Sequence, residues 1–92
     1  MKCEIGPVLK TFGGTPWNVY GCADGQSLVV FSAPGSPAMP FYFMFFLKNG
    51  RYELVGEGTG RKEATSAAHA ELRALTAGEI AALVAEVKRK GK

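Results

Sequence analysis

The chain predicts an α+β domain: an antiparallel meander of about four strands, followed by two helices, the first packed on one face of the sheet. Three observations lead there. Phe41 to Leu47 is an unbroken apolar and aromatic run directly after Pro40, of strand length and strand composition. Asp24-Gly25 and Asn49-Gly50 stand between β-branched or aromatic stretches, where a two-residue turn with positive φ closes a hairpin. From residue 61 onward apolar residues recur at helical spacing, and Thr76-Ala77-Gly78-Glu79 reads as a capping box.

Residues 1 to 16 hold Gly6-Pro7, Gly13-Gly14 and Pro16, and are expected to form an irregular lead with at most a short extended piece at Val8 to Phe12. Trp17 to Cys22 and Ser27 to Ser32 are the arms of the first hairpin. Pro34, Pro37 and Pro40 make Ala33 to Pro40 a stiff extended loop. In the strand that follows, Phe41, Phe43, Phe45 and Leu47 share one face, and Tyr42, Met44 and Phe46 share the other. A turn on Asn49-Gly50 sets Leu47 opposite Tyr52, Phe45 opposite Leu54 and Phe43 opposite Gly56, a continuous apolar face. It also sets Phe46 opposite Glu53, Met44 opposite Val55 and Tyr42 opposite Glu57, a face half apolar and half acidic.

The first helix buries Ala64, Ala68, Leu72 and Leu75, and the small Ala67, Ala68 and Ala70 let it approach bulky phenylalanines from the sheet. Glu71 falls beside that stripe with no partner evident. In the second helix Ile80, Leu83, Val84 and Val87 form the apolar face, with Leu75 and Ile80 as a hydrophobic staple at its start. A basic tail, residues 88 to 92, stands at the C-terminal end of that helix, where cations oppose the macrodipole.

Ninety-two residues, 47% hydrophobic and 21% charged, describe one globular domain, residues 1 to 92, with a small core. No run approaches the roughly 20 apolar residues of a membrane span, and Met1 to Glu4 lacks a secretory stretch, so a cytoplasmic location is expected. Cys3 and Cys22 are expected as free thiols. Four of the 11 basic residues lie in the tail, and the remainder carries seven basic against eight acidic groups, so the body offers no evident basic face.

Catalytic and cofactor signatures are missing. His69-Ala70-Glu71 copies half of a zinc-deaminase motif, but no Cys-x-x-Cys completes it. Glu53 and Glu57 stand roughly 13 Å apart along one strand, at about 3.3 Å per residue, too far for an acid and base flanking one bond. The expectation is a noncatalytic binding module without cofactor or metal. Its outer sheet residues Tyr42, Met44 and Phe46 are candidates for an interaction face, with a homodimer as the simplest case.

Gly56-Glu57-Gly58-Thr59-Gly60-Arg61-Lys62-Glu63-Ala64-Thr65-Ser66-Ala67-Ala68, continuing through Leu72, resembles the C-terminal part of the double-stranded-RNA-binding domain. That family reads approximately Gly-x-Gly-x-Ser-Lys-Lys-x-Ala-Lys-x-x-Ala-Ala. Ser36 to Phe41 resembles the loop before its second strand, so the likeness spans about residues 28 to 75. It implies shape-directed binding of duplex RNA, with Arg61 and Lys62 at the phosphate-contacting positions. Lys62, Ser66, His69 and Arg73 recur along the helix opposite the alanine stripe, as a polar and basic ridge expected to face solvent. The chain departs from the family at Thr65 and Met39, which stand where it has a lysine and a histidine, and upstream, where it has a first helix.

Overall fold

The computed structural model describes residues 2–90; Gly91 and Lys92, the end of the expected basic tail, lie outside the described residues. Its elements are β1 (Ile5–Phe12), β2 (Thr15–Gly21), β3 (Leu28–Ser32), β4 (Phe41–Lys48), β5 (Arg51–Gly58), α1 (Lys62–Arg73) and α2 (Ala77–Lys90). The strands form one antiparallel sheet in the order β1-β2-β3-β4-β5. The fold class is the expected α+β meander with two C-terminal helices. It has five strands rather than about four, because the presumed irregular lead supplies β1 and the start of β2.

Glycine accounts for that difference. Gly13 and Gly14 both have positive φ, +62° and +77°, and close a two-residue hairpin in which Phe12 pairs with Thr15. A left-handed pair of this kind turns a chain tightly enough to reverse a strand rather than end it. Gly13 also lies against α1, where a Cβ would overlap the backbone of Ala67 and Ala68. Its N–H donates to the Glu71 carboxylate, the partner that Glu71 lacks in the sequence reading.

The β4–β5 hairpin follows its local chemistry. Asn49 and Gly50 have φ of 53° and 79°, as a type I′ turn requires, and the register Lys48↔Arg51, Leu47↔Tyr52, Phe45↔Leu54, Phe43↔Gly56 runs through to Phe41↔Gly58. The β2–β3 connection differs from expectation. Gly25 has positive φ but Asp24 does not, so Asp24-Gly25 is not a type I′ pair. Asp24 instead organises a longer loop through its side chain, which accepts from the N–H groups of Gln26 and Ser27 and from the Ser27 hydroxyl. Partial burial alone would raise the Asp24 pKa, but these hydrogen bonds outweigh it and hold the carboxyl below its ordinary value.

Cys3 and Cys22 form a disulfide, contrary to the expectation of free thiols. They stand just before β1 and just after β2, and the pairing of Ile5 with Gly21 brings them together. The strand register, invisible in the cysteine spacing, produces the bond.

The helices cover one face only. α2 lies along β1 and β2, while α1 crosses from the β5 side toward the β1 end. Between them and the sheet sits the core: Trp17, Val19, Leu28, Val30, Phe43 and Phe45 from the strands, Ala64, Ala68 and Leu72 from α1, and Ile80, Leu83, Val84 and Val87 from α2. Trp17 is fully buried, packs at a tilt against Phe43 with ring centroids 5.3 Å apart, and satisfies its indole N–H through the Phe12 carbonyl and the Thr15 hydroxyl. The small α1 residues let the helix approach these rings. Leu47, expected on the buried face, is 37% exposed and lines an open groove between the β4–β5 hairpin and the helices.

The capping box is present: the Thr76 N–H donates to Glu79 Oε1 at 2.8 Å, and the Glu79 N–H donates to Thr76 Oγ1 at 3.1 Å. Lys88, Arg89 and Lys90 form the last turn of α2, so the basic run begins as helix rather than as a tail. There the positive groups face the negative end of the helix dipole.

Candidate interaction surface

With both helices on one side, the other side of the sheet is left to its own residues. Its composition follows from strand alternation and register. One row across the strands runs Leu9, Asn18, Phe31, Tyr42, Glu57; the next runs Tyr20, Val29, Met44, Val55; a shorter third pairs Phe46 with Glu53. Tyr20 meets Phe31 edge-on at 5.8 Å, and Phe31 lies 5.7 Å from Tyr42. Val29 is buried under this layer, whereas Leu9 (64%), Phe31 (43%) and Val55 (47%) are largely exposed.

Tyr42, Met44 and Phe46 therefore occupy one helix-free face, each half-buried among its neighbours. Tyr20, Phe31, Leu9 and Val55 join them and do not stand out in the sequence. The signal that reveals them is the β2–β3 register, which sets Tyr20 opposite Val29 and so aligns two more strands with the aromatic ribbon. The charge on this face is acidic at the β5 side. The Tyr42 hydroxyl donates to Glu57 Oε1 at 3.1 Å. That bond and the nearby carboxylate charge raise the Tyr42 pKa above its ordinary value.

The second candidate region lies on the helix side. Phe45, Tyr52 and Leu54 of the hairpin, with His69, Leu72, Arg73, Leu75 and Ile80 of the helical layer, line an open groove of about 540 Å³. Tyr52 bridges the hairpin to the β2–β3 loop, donating its hydroxyl to the Gln26 carbonyl at 2.9 Å. Lys62, Ser66 and Arg73 are exposed, as expected of the ridge, and so is Arg61. His69 is not on the solvent side of the helix: it is half-buried and stacks on Phe43 with ring centroids 5.8 Å apart. At the flank of the buried stripe, its ring turns toward the sheet and shares the groove wall with Arg73.

Among the described residues, no group of three or more His, Cys, Asp or Glu side chains could hold a metal ion. No helix of the described chain is long and apolar enough to cross a membrane. Helix α1 follows three consecutive antiparallel strands, β3, β4 and β5, and β1 and β2 precede them. No protein-family model, curated protein or solved structure matches the chain.

Proposed function

We propose that this domain is a noncatalytic protein-interaction module whose contact surface is the helix-free face of the sheet. The observation that supports this reading is the contiguous aromatic layer of Tyr20, Phe31 and Tyr42, flanked by Met44, Phe46 and the exposed Leu9 and Val55, with no element among the described residues covering it. A solvated sheet face normally alternates apolar-in with polar-out. Here the outward positions of β3 and, through Phe46, of β4 are apolar or aromatic, and Leu9, Tyr20 and Val55 extend them, the composition of an interface core rather than a wet surface. The partner that fits is a protein offering a flat apolar surface of its own, packed sheet on face, with a second copy of this chain as the simplest case. Glu53 and Glu57 at one margin favour a partner with cations on the matching rim.

The test places a photo-crosslinking benzoylphenylalanine at Phe46 and irradiates the protein in extract of the cells that express it. One discrete adduct, identified by mass spectrometry and lost on Phe31→Glu while the circular dichroism spectrum is unchanged, is the expected result. No adduct, or one indifferent to Phe31→Glu, overturns the reading. Duplex-RNA binding through Arg61, Lys62, Arg73 and the groove-facing His69 is the competing reading, resting on three exposed cations. A salt-steep RNA titration that collapses when Arg61 and Lys62 are both changed to Ala would install it instead.

A further inference from the structure

β5 is an edge of the sheet, and its backbone is open. Gly56 and Gly58 carry no side chain, so their exposure is exposure of the main chain itself. The turn on Asn49-Gly50 makes Lys48 and Arg51 a hydrogen-bonded pair, and antiparallel alternation then directs the N–H and C=O groups of residues 51, 53, 55 and 57 toward β4. Those of Tyr52, Leu54 and Gly56 point outward, away from the sheet. No proline interrupts the strand, and its pairing with β4 continues without a register shift. Edges of this kind template the addition of another strand.

We propose that β5 pairs antiparallel with β5 of a second copy, about a two-fold axis at Leu54, joining two sheets into one continuous sheet. The register is chosen by charge. Outward-facing backbone groups pair only with outward-facing groups, so the two strands slide in steps that keep 52, 54 and 56 in the ladder. With Leu54 opposite its own copy, Tyr52 falls opposite Gly56 and Arg51 opposite Glu57, and both pairings occur twice by symmetry. Glu53 then faces Val55. The next step in one direction puts Glu53 opposite Glu53, and the next step in the other puts Glu53 opposite Glu57. Like charges directly across a ladder are destabilising, so both neighbouring registers are disfavoured and the Leu54-centred one remains.

The side chains fit that register. Tyr52 falls opposite Gly56, over which the Phe43 and Phe41 rings lie, on the face where Tyr52 already packs edge-on with Phe45 at 6.4 Å. Leu54, half-buried in the monomer, gains an apolar neighbour in its own copy. Arg51 and Glu57, both exposed, form the flanking ion pairs. This interface lies along the strand edge rather than on the aromatic face, and the proposal stands independently of the reading above.

The experiment combines sedimentation velocity with residue-resolved amide hydrogen exchange of the intact chain at low and high protein concentration. Expected is a reversible monomer–dimer equilibrium in which the amides of residues 52, 54 and 56 become protected as the dimer forms, while those of 53, 55 and 57 do not change. Arg51→Glu and Glu57→Arg each weaken dimerisation by about tenfold, from two like-charge pairs per dimer, and the double charge swap restores it to about the starting affinity. A monomer at millimolar concentration overturns the proposal. So does a dimer whose even-numbered β5 amides stay unprotected, an outcome that would place the contact on the aromatic face instead. Failure of the double swap to restore association overturns the register. Phe31→Glu leaves the edge dimer intact, so loss of the face reading and loss of this one are read separately.

Discussion

At one margin of the sheet, β1 carries Pro7, a register shift between Ile5 and Val8, and α2 laid along it; at the other, β5 runs from Arg51 to Gly58 with none of these. The β1 margin is also tied covalently, through Cys3 and Cys22, and its turn at Gly13 is seated on α1. Lys10 of β1 reaches Glu86 of α2 at 2.9 Å. Bulge, proline and covering helix are the devices by which a sheet edge is kept from pairing with another chain. Finding the proline, the register shift and a helix laid along the strand on one side, and only a light contact with α1 on the other, teaches that the openness of β5 is local, not a consequence of a small sheet with too few helices.

The largest expected effect lies in the core that both margins share. Phe43 is almost wholly buried, between Trp17, Phe41 and His69. Phe43→Ala is expected to lower stability by about 3–5 kcal/mol, read as the shift in urea denaturation. A loss below about 1 kcal/mol would mean that the ring is not the keystone of the sheet, and both margins would need another anchor.

Next comes the covalent tie. The disulfide closes a loop of sequence separation 19, for which the chain-entropy relation gives about 3 kcal/mol. The Cys3→Ser, Cys22→Ser double variant is expected to lose stability of that order, with hydrogen exchange accelerating in β1 and β2 well before β5. Uniform acceleration across all five strands would break the contrast between the margins.

Three turn glycines sharpen it further. Gly14 and Gly50 have positive φ but open space where a Cβ would stand, whereas Gly13 adds the α1 backbone to the same conformational demand. Gly14→Ala and Gly50→Ala are each expected to cost about 1–2 kcal/mol for the left-handed backbone alone. Gly13→Ala adds overlap with Ala67 and Ala68, and a total of about 2–4 kcal/mol is expected in thermal or chemical denaturation. Equal losses at the three sites would show that α1 yields to the turn and that the β1 margin is less firmly seated than its geometry indicates.

What was legible before folding was whatever a few adjacent residues decide. Asn49-Gly50 fixed its own hairpin because left-handed φ at two successive positions admits little else, and Thr76 with Glu79 capped α2 by chemistry three residues long. The β1 strand was hidden because Gly6, Pro7, Gly13 and Gly14 read as interruptions, although two of them make the turn and two accompany the shift in register. The disulfide and the Gly13–Glu71 bond were hidden for a different reason: each joins residues that only the finished sheet brings together. The candidate face was half legible. Tyr42, Met44 and Phe46 follow from alternation within one strand, while Tyr20 and Phe31 needed the register of a hairpin whose loop Asp24 makes longer than an Asp-Gly turn. His69 sits where the helical angle separates buried from exposed, and the aromatic ring beneath it decided its direction.

The smallest effect probes β5 without disturbing the fold. Tyr42 donates to Glu57, and that hydrogen bond, followed by the carboxylate's charge, raises the phenol pKa above the usual value of 10.0. Because the folded-state pKa is the higher one, the stabilisation is complete below the unfolded value and is lost as pH rises through the folded one, a window on the alkaline side of about 10. Phenolate absorbance in Glu57→Gln is expected to show Tyr42 titrating earlier than in the parent chain, with little change in stability because the hydrogen bond is open to solvent. In a β5-paired dimer, Glu57 also faces Arg51 of the second copy, whose cation offsets the carboxylate's field at the phenol. The Tyr42 titration of the parent chain should then move downward as protein concentration rises, and that of Glu57→Gln should move less. A titration that does not change with concentration would leave the open margin unpaired in solution.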